Sequence, residues 1–515
     1  MEILTVKDQE KCYGEEFPQQ VFKERSALDP HHHTQQLADI ITSYMEPLGM
    51  TENQRNNLSA LSQGAPVIIG GQQAGLFISP LYTIHKIISI IVLAKEQSEQ
   101  LNRPIVPVFW IAGEDHDFSE VNHAYIYDKS SVALKKIKVA TKRQVETSMS
   151  DFIVTDEEKK DTINDFISAL EETEQTKHIY QLLSSLPNRW TDQFKQLVHE
   201  LFKNSGLLLI DSNDQSFRRL EKETFKYLLK YHEAIHNSFV TGQEKSVQAG
   251  QEKMIETGTN VHLFMKYENQ RQLLNFEEGK YKLNKSEDTF TREELLRLID
   301  SEPELFSNNV VTRPVMQELM FNTLAFVGGP SEIKYWSELA DIFSYIGRPM
   351  PILVPRMRMT YVNQRIQKLL EQYDLEIQEI LMIGMKTLQQ QFLTQEENKQ
   401  LLDAVRQLEH ELAGRFNELQ QHAESPQVKQ LLDSNLKHHY QQLDYFKTAY
   451  HRELRIKNEV ILRHFKEIEL TVNPRSGLQE RTWHPMQLIN ETDFCIFNKL
   501  SDQLVYTNDQ VVIKL

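Results

Sequence analysis

The chain has 515 residues, 25 % of them charged and 40 % hydrophobic, the profile of a globular protein with material for about two to four domains. Its formal net charge of −16 argues against general binding to a nucleic-acid backbone, which relies on clustered Lys and Arg, while leaving room for a local basic pocket. Two cysteines, Cys12 and Cys495, cannot form a disulfide framework, and the charged N-terminal stretch lacks a signal-peptide core. The longest apolar stretch, IISIIVLA at 87–94, is far short of the ~20 residues needed to span a bilayer, so a cytoplasmic protein without membrane or nucleic-acid partners is expected.

In chain order, APVIIGG (65–71), IVPVFWIAG (105–113) and GLLLIDS (206–212) are apolar without alternation and read as buried parallel strands. LYTIHKIISIIVLAKEQSEQL, between the first two, reads as a helix, which completes a right-handed βαβ unit. SEIKYWSELADIF reads as a helix and PMPILVP (349–355) as a further strand. Residues 1–375 are therefore expected to be an α/β core around an open parallel sheet, with insertions at about 128–200 and 241–310. From 376 the pattern changes. Leu401, Val405, Leu408, Leu412, Phe416 and Leu419 form one heptad stripe. After Ser425-Pro426 a second runs through Val428, Leu432, Leu436, Tyr440, Leu443, Phe446, Tyr450 and Leu454. An antiparallel helical hairpin over 376–470 follows, its second helix ~65 Å long if it reaches Leu470. Such a seam calls for a second copy of the chain, unless its own two helices satisfy it. Residues 471–515 return to turns and strand-like runs and are expected to rejoin the core.

Ligands of open α/β sheets bind at the carboxyl ends of the strands, and two stretches fall there. In GGQQAGLFISPLYTIHK (70–86), Gly70 and Gly71 permit positive φ or close backbone approach, Gln72 and Gln73 offer amides, and Pro80 fits the first turn of a helix carrying Tyr82 and His85 on one face. The alternative is a tight turn with a core Tyr and a half-buried His. In WIAGEDHDFSEVNHAY, Glu114, Asp115, His116 and Asp117 follow a strand that ends near Trp110. They could bind a divalent metal, hold an ammonium group, or pair an acid with a base, or they could form a solvated loop capping the next helix. His123 fits the following strand. FVGGPSEIKYW (326–336) presents Glu332 after a glycine pair, VPRMRMTYV (354–362) supplies Arg356 and Arg358, and NPRSGLQER (473–481) displays Arg475. Ile383, Gly384 and Lys386 in LMIGMK (381–386) mark a second possible nucleotide pocket, or a hinge. His31–His33 suits adventitious metal binding, and CxxC and HExxH are absent.

Together GGQQAGLFISPLYTIHK, PVFWIAGEDHDFSEV, GGPSEIKYW, PRMRMT and NPRSGLQER resemble the cysteine ligases of bacillithiol biosynthesis, along essentially the whole chain. The resemblance implies the last step of that pathway, joining cysteine to glucosaminyl malate through an amide. It implies a Rossmann-like core with connecting-peptide insertions, similar to class I aminoacyl-tRNA synthetases and pantothenate synthetase, and an α-helical coiled coil that makes a homodimer. Tyr82-Thr83-Ile84-His85 then stands at the synthetases' His-Ile-Gly-His motif, and Arg356 and Arg358 stand near their mobile Lys-Met-Ser-Lys-Ser loop.

On that footing ATP, with Mg²⁺, is expected to activate the cysteine carboxylate as an acyl-adenylate that the sugar amine attacks. Gly70, Gly71, Gln72, Gln73, Tyr82, Arg356 and Arg358 are the expected nucleotide contacts. His85 would stabilise charge during transfer, Asp115 or Asp117 hold the cysteine ammonium, and His116 or Glu114 take the amine proton. Glu332, Trp110 and Arg475 would contact substrate, with Arg475 or Arg356 meeting the malate carboxylates. No metal ligands are assigned. The rival readings are a metal-dependent hydrolase built on GEDHD and a non-catalytic dimeric scaffold.

Overall fold

A computed structural model describes residues 1–6, 17–141 and 147–515; Cys12 lies outside the described residues. The chain divides into two compact units. One contains Met1–Thr360 with Glu480–Ile513, and the other Tyr361–Gln479. Among the described residues no helix is long and apolar enough to cross a membrane.

The first unit is built on a five-stranded parallel sheet. Its spatial order is Ile352–Pro355, Thr323–Gly328, Val67–Gln72, Val106–Ile111, Leu208–Asp211. Strands buried on both faces need no polar alternation, and Val67, Ile68, Ile69, Val106, Val108, Phe109 and Leu208 are all fully buried. The strand Thr323–Gly328, absent from the sequence-based reading, lies inside the sheet beside Val67–Gln72. Between these two neighbours the order of the strands reverses. The chain runs outward from Val67–Gln72 to Leu208–Asp211, then starts again on the other side. A crevice at the carboxyl ends is expected at such a switch point.

Helix Tyr82–Leu101 carries the first crossover, and Ile84, Ile87, Ile88, Ile90 and Val92 are buried along it. It ends where Asn102 adopts φ +49°, a left-handed cap that Asn tolerates better than most residues. Pro80 precedes this helix rather than opening it, since Leu81 is the N-cap. The polar segment after the second strand contains the antiparallel hairpin His123–Asp128 with Ala133–Lys138, so His123 does start a strand. The later one contains an antiparallel sheet ordered Thr289–Phe290, Lys280–Leu283, Gln270–Glu277, Leu263–Tyr267, Phe306–Asn308. His31 and His33 direct Nε2 at the carbonyls of Glu318 and Met320, and burial lowers the His31 imidazole to about 4. They are structural groups.

In the second unit, helices Lys399–Gln421 and Pro426–Lys457 form the hairpin. Lys447 pairs with Glu409 at 2.5 Å and Gln420 with Asp433. As one residue number rises the other falls, so the helices are antiparallel. The second helix holds the whole heptad stripe to Leu454 but does not reach Leu470. It stops at Lys457, and Asn458, whose amide donates to the Leu454 carbonyl, separates it from Glu459–Val472. At 1.5 Å per residue, 32 residues span ~48 Å. Gly384, at φ +81°, joins helices Ile377–Ile383 and Met385–Gln395.

Candidate functional site

A cavity of about 320 Å³ occupies the switch-point crevice. Gly71 and Gln72 line it from the end of one strand, Trp110 and Ala112 from the next, Gly329 and Glu332 from beyond a third, and Arg356 from beyond a fourth. Gly71 is required by close approach rather than by its torsions: a Cβ there would sit 2.6 Å from the Trp110 carbonyl oxygen. Gly70 is held in the strand opposite Phe109 and does not line the cavity. Trp110 is almost completely buried, and its indole Nε1, which has no hydrogen-bond partner among the described residues, belongs to the wall.

Charge decides what the cavity can hold. Lys86, one residue past His85, is buried and donates to the Gly71 carbonyl at 2.7 Å, to Gln72 Oε1 at 3.0 Å and to Glu332 Oε2 at 2.5 Å. Burial works to raise the Glu332 carboxyl, but Lys86 and the Gly329 N–H outweigh it and hold the group below its usual value. Glu332 is thus an ionised, compensated carboxylate. Three arginines border the same space, one of them already paired. Arg313 donates to the Tyr335 hydroxyl at 2.7 Å, and Arg481 is exposed; neither has a carboxylate within ion-pair distance among the described residues. Arg356 lies 5.1 Å from the Tyr82 ring centre and pairs with Glu480. A planar guanidinium carries paired donors in a fork that fits carboxylate or phosphate. Burial pushes the Tyr82 phenol up against the pull of Arg356 and Arg481, which keeps it a hydrogen-bond donor.

His85 is fully buried behind this wall. Its Nδ1 lies 2.7 Å from Glu480 Oε2. Burial, outweighing Glu480, lowers the imidazole, while Arg356 and His85 together overcome burial and bring Glu480 to about 2. A neutral imidazole and an arginine therefore hold one carboxylate between them, and His85 acts on the cavity through Glu480 and Arg356.

The GEDHD residues have separate tasks. Glu114 is buried and paired with Arg218. Asp115 accepts from the His116 N–H at 2.7 Å and from Gln73 Nε2 at 2.6 Å. His116 Nδ1 is 3.4 Å from Arg271. Asp117 caps helix Phe118–Val121, as the capping alternative has it. Among the described residues no group of three or more His, Cys, Asp or Glu is arranged to hold a metal. Gln73 also bonds Glu120 at 3.0 Å. That glutamate lines a smaller compartment of about 160 Å³ with His123 and Tyr125, which shares Gln72, Gln73, Tyr82 and Arg481 with the main cavity.

The remaining expected residues lie elsewhere. Arg358 donates to the Asn508 carbonyl at 2.8 Å. Arg475, exposed at φ +57°, and Ile383, Gly384 and Lys386 belong to the second unit. Lys86, Arg313, Tyr335 and Arg481 were not among the residues expected from sequence. Arg481 closes the same NPRSGLQER stretch that points to Arg475. Lys86 ends the quoted GGQQAGLFISPLYTIHK, and Arg313 has no motif around it.

Two family models cover the chain. Residues 4–357 match the N-terminal Rossmann-like domain of bacillithiol biosynthesis BshC, and residues 359–515 match its C-terminal coiled-coil domain. The chain belongs to the BshC family. The BshC-type core and coiled coil agree with the α/β Rossmann-like sheet and helical hairpin expected from the sequence. Among similar proteins, one from Staphylococcus haemolyticus is 42 % identical over 93 % of this chain and 90 % of its own length. Another, from Staphylococcus saprophyticus, is 40 % identical over 99 % and 97 %, and one from Staphylococcus aureus is 40 % identical over 96 % and 93 %. Each is named "Putative cysteine ligase BshC".

Proposed function

We propose that this BshC-family protein ligates cysteine to the amine of glucosaminyl malate, the last step of bacillithiol synthesis, with ATP and Mg²⁺ as co-reactants in the cytoplasm. The reading draws on the names of its relatives and on one structural observation: Arg313, Arg356 and Arg481 converge on a crevice whose lining carboxylate, Glu332, is already neutralised by Lys86. Such a site selects anions. Malate carboxylates and nucleotide phosphates are the anionic groups of this reaction, and they compete for the same guanidiniums, of which Arg313 and Arg481 have no carboxylate partner among the described residues while Arg356 is shared with Glu480. ATP supplies the activation without which a carboxylate does not acylate an amine in water.

The chain's own residues then orient and exclude. Arg356, fixed by Glu480 and His85, presents its guanidinium face to Tyr82. Trp110 and Tyr335 form a wall that keeps water from the phosphates bound there. Glu120, in the adjoining compartment with Gln73, takes the proton that the attacking amine loses. Two copies associate through the helical hairpin. Leu431, Tyr445 and Ile456 are 68 %, 68 % and 58 % exposed on it, an apolar surface that a second copy would cover.

The test is mass spectrometry of the purified protein with cysteine, glucosaminyl malate, Mg²⁺ and ATP. Bacillithiol with AMP and pyrophosphate is the expected result. ADP and phosphate would mean an acyl-phosphate route, and no product would remove the ligase assignment for the isolated chain.

A further inference from the structure

A second and larger cavity, about 760 Å³, opens beyond the ends of strands Val106–Ile111 and Leu208–Asp211 and shares no lining residue with the arginine cavity. Much of its charge is internally paired. Lys266 meets Asp151 at 2.8 Å, Lys195 meets Asp192 at 3.0 Å, and Glu114 meets the buried Arg218. What remains unpaired has both signs.

On the acidic side, Asp211 is buried and accepts from Ser150 Oγ at 2.6 Å and from the Asn213 N–H at 2.8 Å, with no cation in ion-pair distance among the described residues. It packs against the GEDHD turn so closely that a Cβ on Gly113 would lie 2.3 Å from its Oδ1. Glu304 Oε2 and Tyr44 Oη also border the cavity, and both atoms are buried without a hydrogen-bond partner among the described residues. On the basic side stands Arg271. It stacks 3.8 Å over the Phe264 ring and donates to Ser307 Oγ and the Asn308 carbonyl, with no carboxylate in ion-pair distance among the described residues.

Buried polar atoms are ordinarily satisfied, and those that are not call for a ligand or water. An anion alone would face Asp211 and Glu304, and a simple amine would leave Arg271 unmatched. A small molecule carrying both an ammonium and a carboxylate answers both sides without adding net charge. We propose that this cavity binds a free α-amino acid, its ammonium against Asp211, Glu304 and Tyr44 and its carboxylate against Arg271. That cysteine is the occupant rests on the ligase reading; the amino-acid chemistry does not.

Calorimetric titration of the intact protein tests this with L-cysteine, L-serine, cysteamine and 3-mercaptopropionate. One saturable site for L-cysteine is expected, with both single-charge analogues at least tenfold weaker. Asp211→Asn and Arg271→Gln should each weaken cysteine at least tenfold, and Tyr44→Phe, which keeps the ring beside Lys195, several-fold. Arg313→Gln in the other cavity should leave it unchanged. Absence of a saturable site, analogues binding as tightly as cysteine, or binding that follows Arg313 rather than Asp211 would each overturn the assignment. Should the Asp211 and Arg271 variants fail to fold, unaltered binding in Tyr44→Phe overturns it too. Product formation is read separately, so turnover without this binding pattern defeats only the second site, and the pattern without turnover defeats only the ligase.

Discussion

Lys86 holds the arginine cavity together while touching it only through other groups. Its ammonium is buried against a strand carbonyl and the Glu332 carboxylate. Removing one partner of such a pair leaves the other charge uncompensated, which costs ~3–5 kcal/mol when both are buried. Glu332 keeps 27 % of its side chain exposed, so Lys86→Met should destabilise by nearer about 2 kcal/mol. Urea unfolding of Lys86→Met, Glu332→Gln and the double variant measures this. The double variant should recover most of the loss, and additive losses would mean that the pair does not interact. At this scale the sequence was partly legible. Gly71, Gln72, Gln73, Tyr82, Trp110, Glu332 and Arg356 were singled out, and they do border one cavity. Arg481 was passed over beside Arg475 because a turn displays its arginine conspicuously, whereas a group supplied from hundreds of residues away leaves no local pattern. His85 shows the same limit, since nothing near it in the chain announces Glu480.

Among the elements, continuous apolar runs identified strands because full burial removes the need for alternation. Thr323–Gly328 is equally apolar, but the Gly328-Gly329 pair at its end draws attention to the helix that follows. The hairpin was legible as heptads, although its long helix breaks at Asn458, a residue whose side chain competes for helix carbonyls. Exposure on that hairpin carries a prediction. If the proposed dimer forms through this surface, Leu431→Glu with Tyr445→Glu should sediment as a monomer where the unaltered protein sediments as a dimer, with its thermal transition little changed, because neither side chain is buried in the single chain. A variant as dimeric as the unaltered protein would place the contact elsewhere, and a monomeric unaltered protein would reject the dimer.

For the molecule as a whole, pH acts through carboxyls that folding displaces. Burial raises Asp211 from 3.8 to about 6, so the folded state binds its proton more tightly than the unfolded state does. The stabilisation is complete below about 4 and lost as pH rises through about 6, worth on the order of 3 kcal/mol at most for a displacement of that size. Asp211→Asn should therefore flatten the rise in stability between pH 6 and pH 4 in denaturant titrations, and an unchanged slope would reject this role. Glu480, held near 2, works in the opposite sense and loses its contribution as pH falls from about 4.5 towards 2. Its contact with His85 joins residues 395 positions apart, because Glu480–Ile513 returns to the first unit after the helical hairpin. A ribosome making this chain therefore releases the whole hairpin before it releases Glu480 and Arg481. Until then the nascent Rossmann-like core has neither the anchor for Arg356 nor the third guanidinium, and a product cut short anywhere in the hairpin would carry the sheet without a finished anion site. Shortening the hairpin by internal deletion and truncating the chain are thus different experiments, and only the first can leave the chemistry intact.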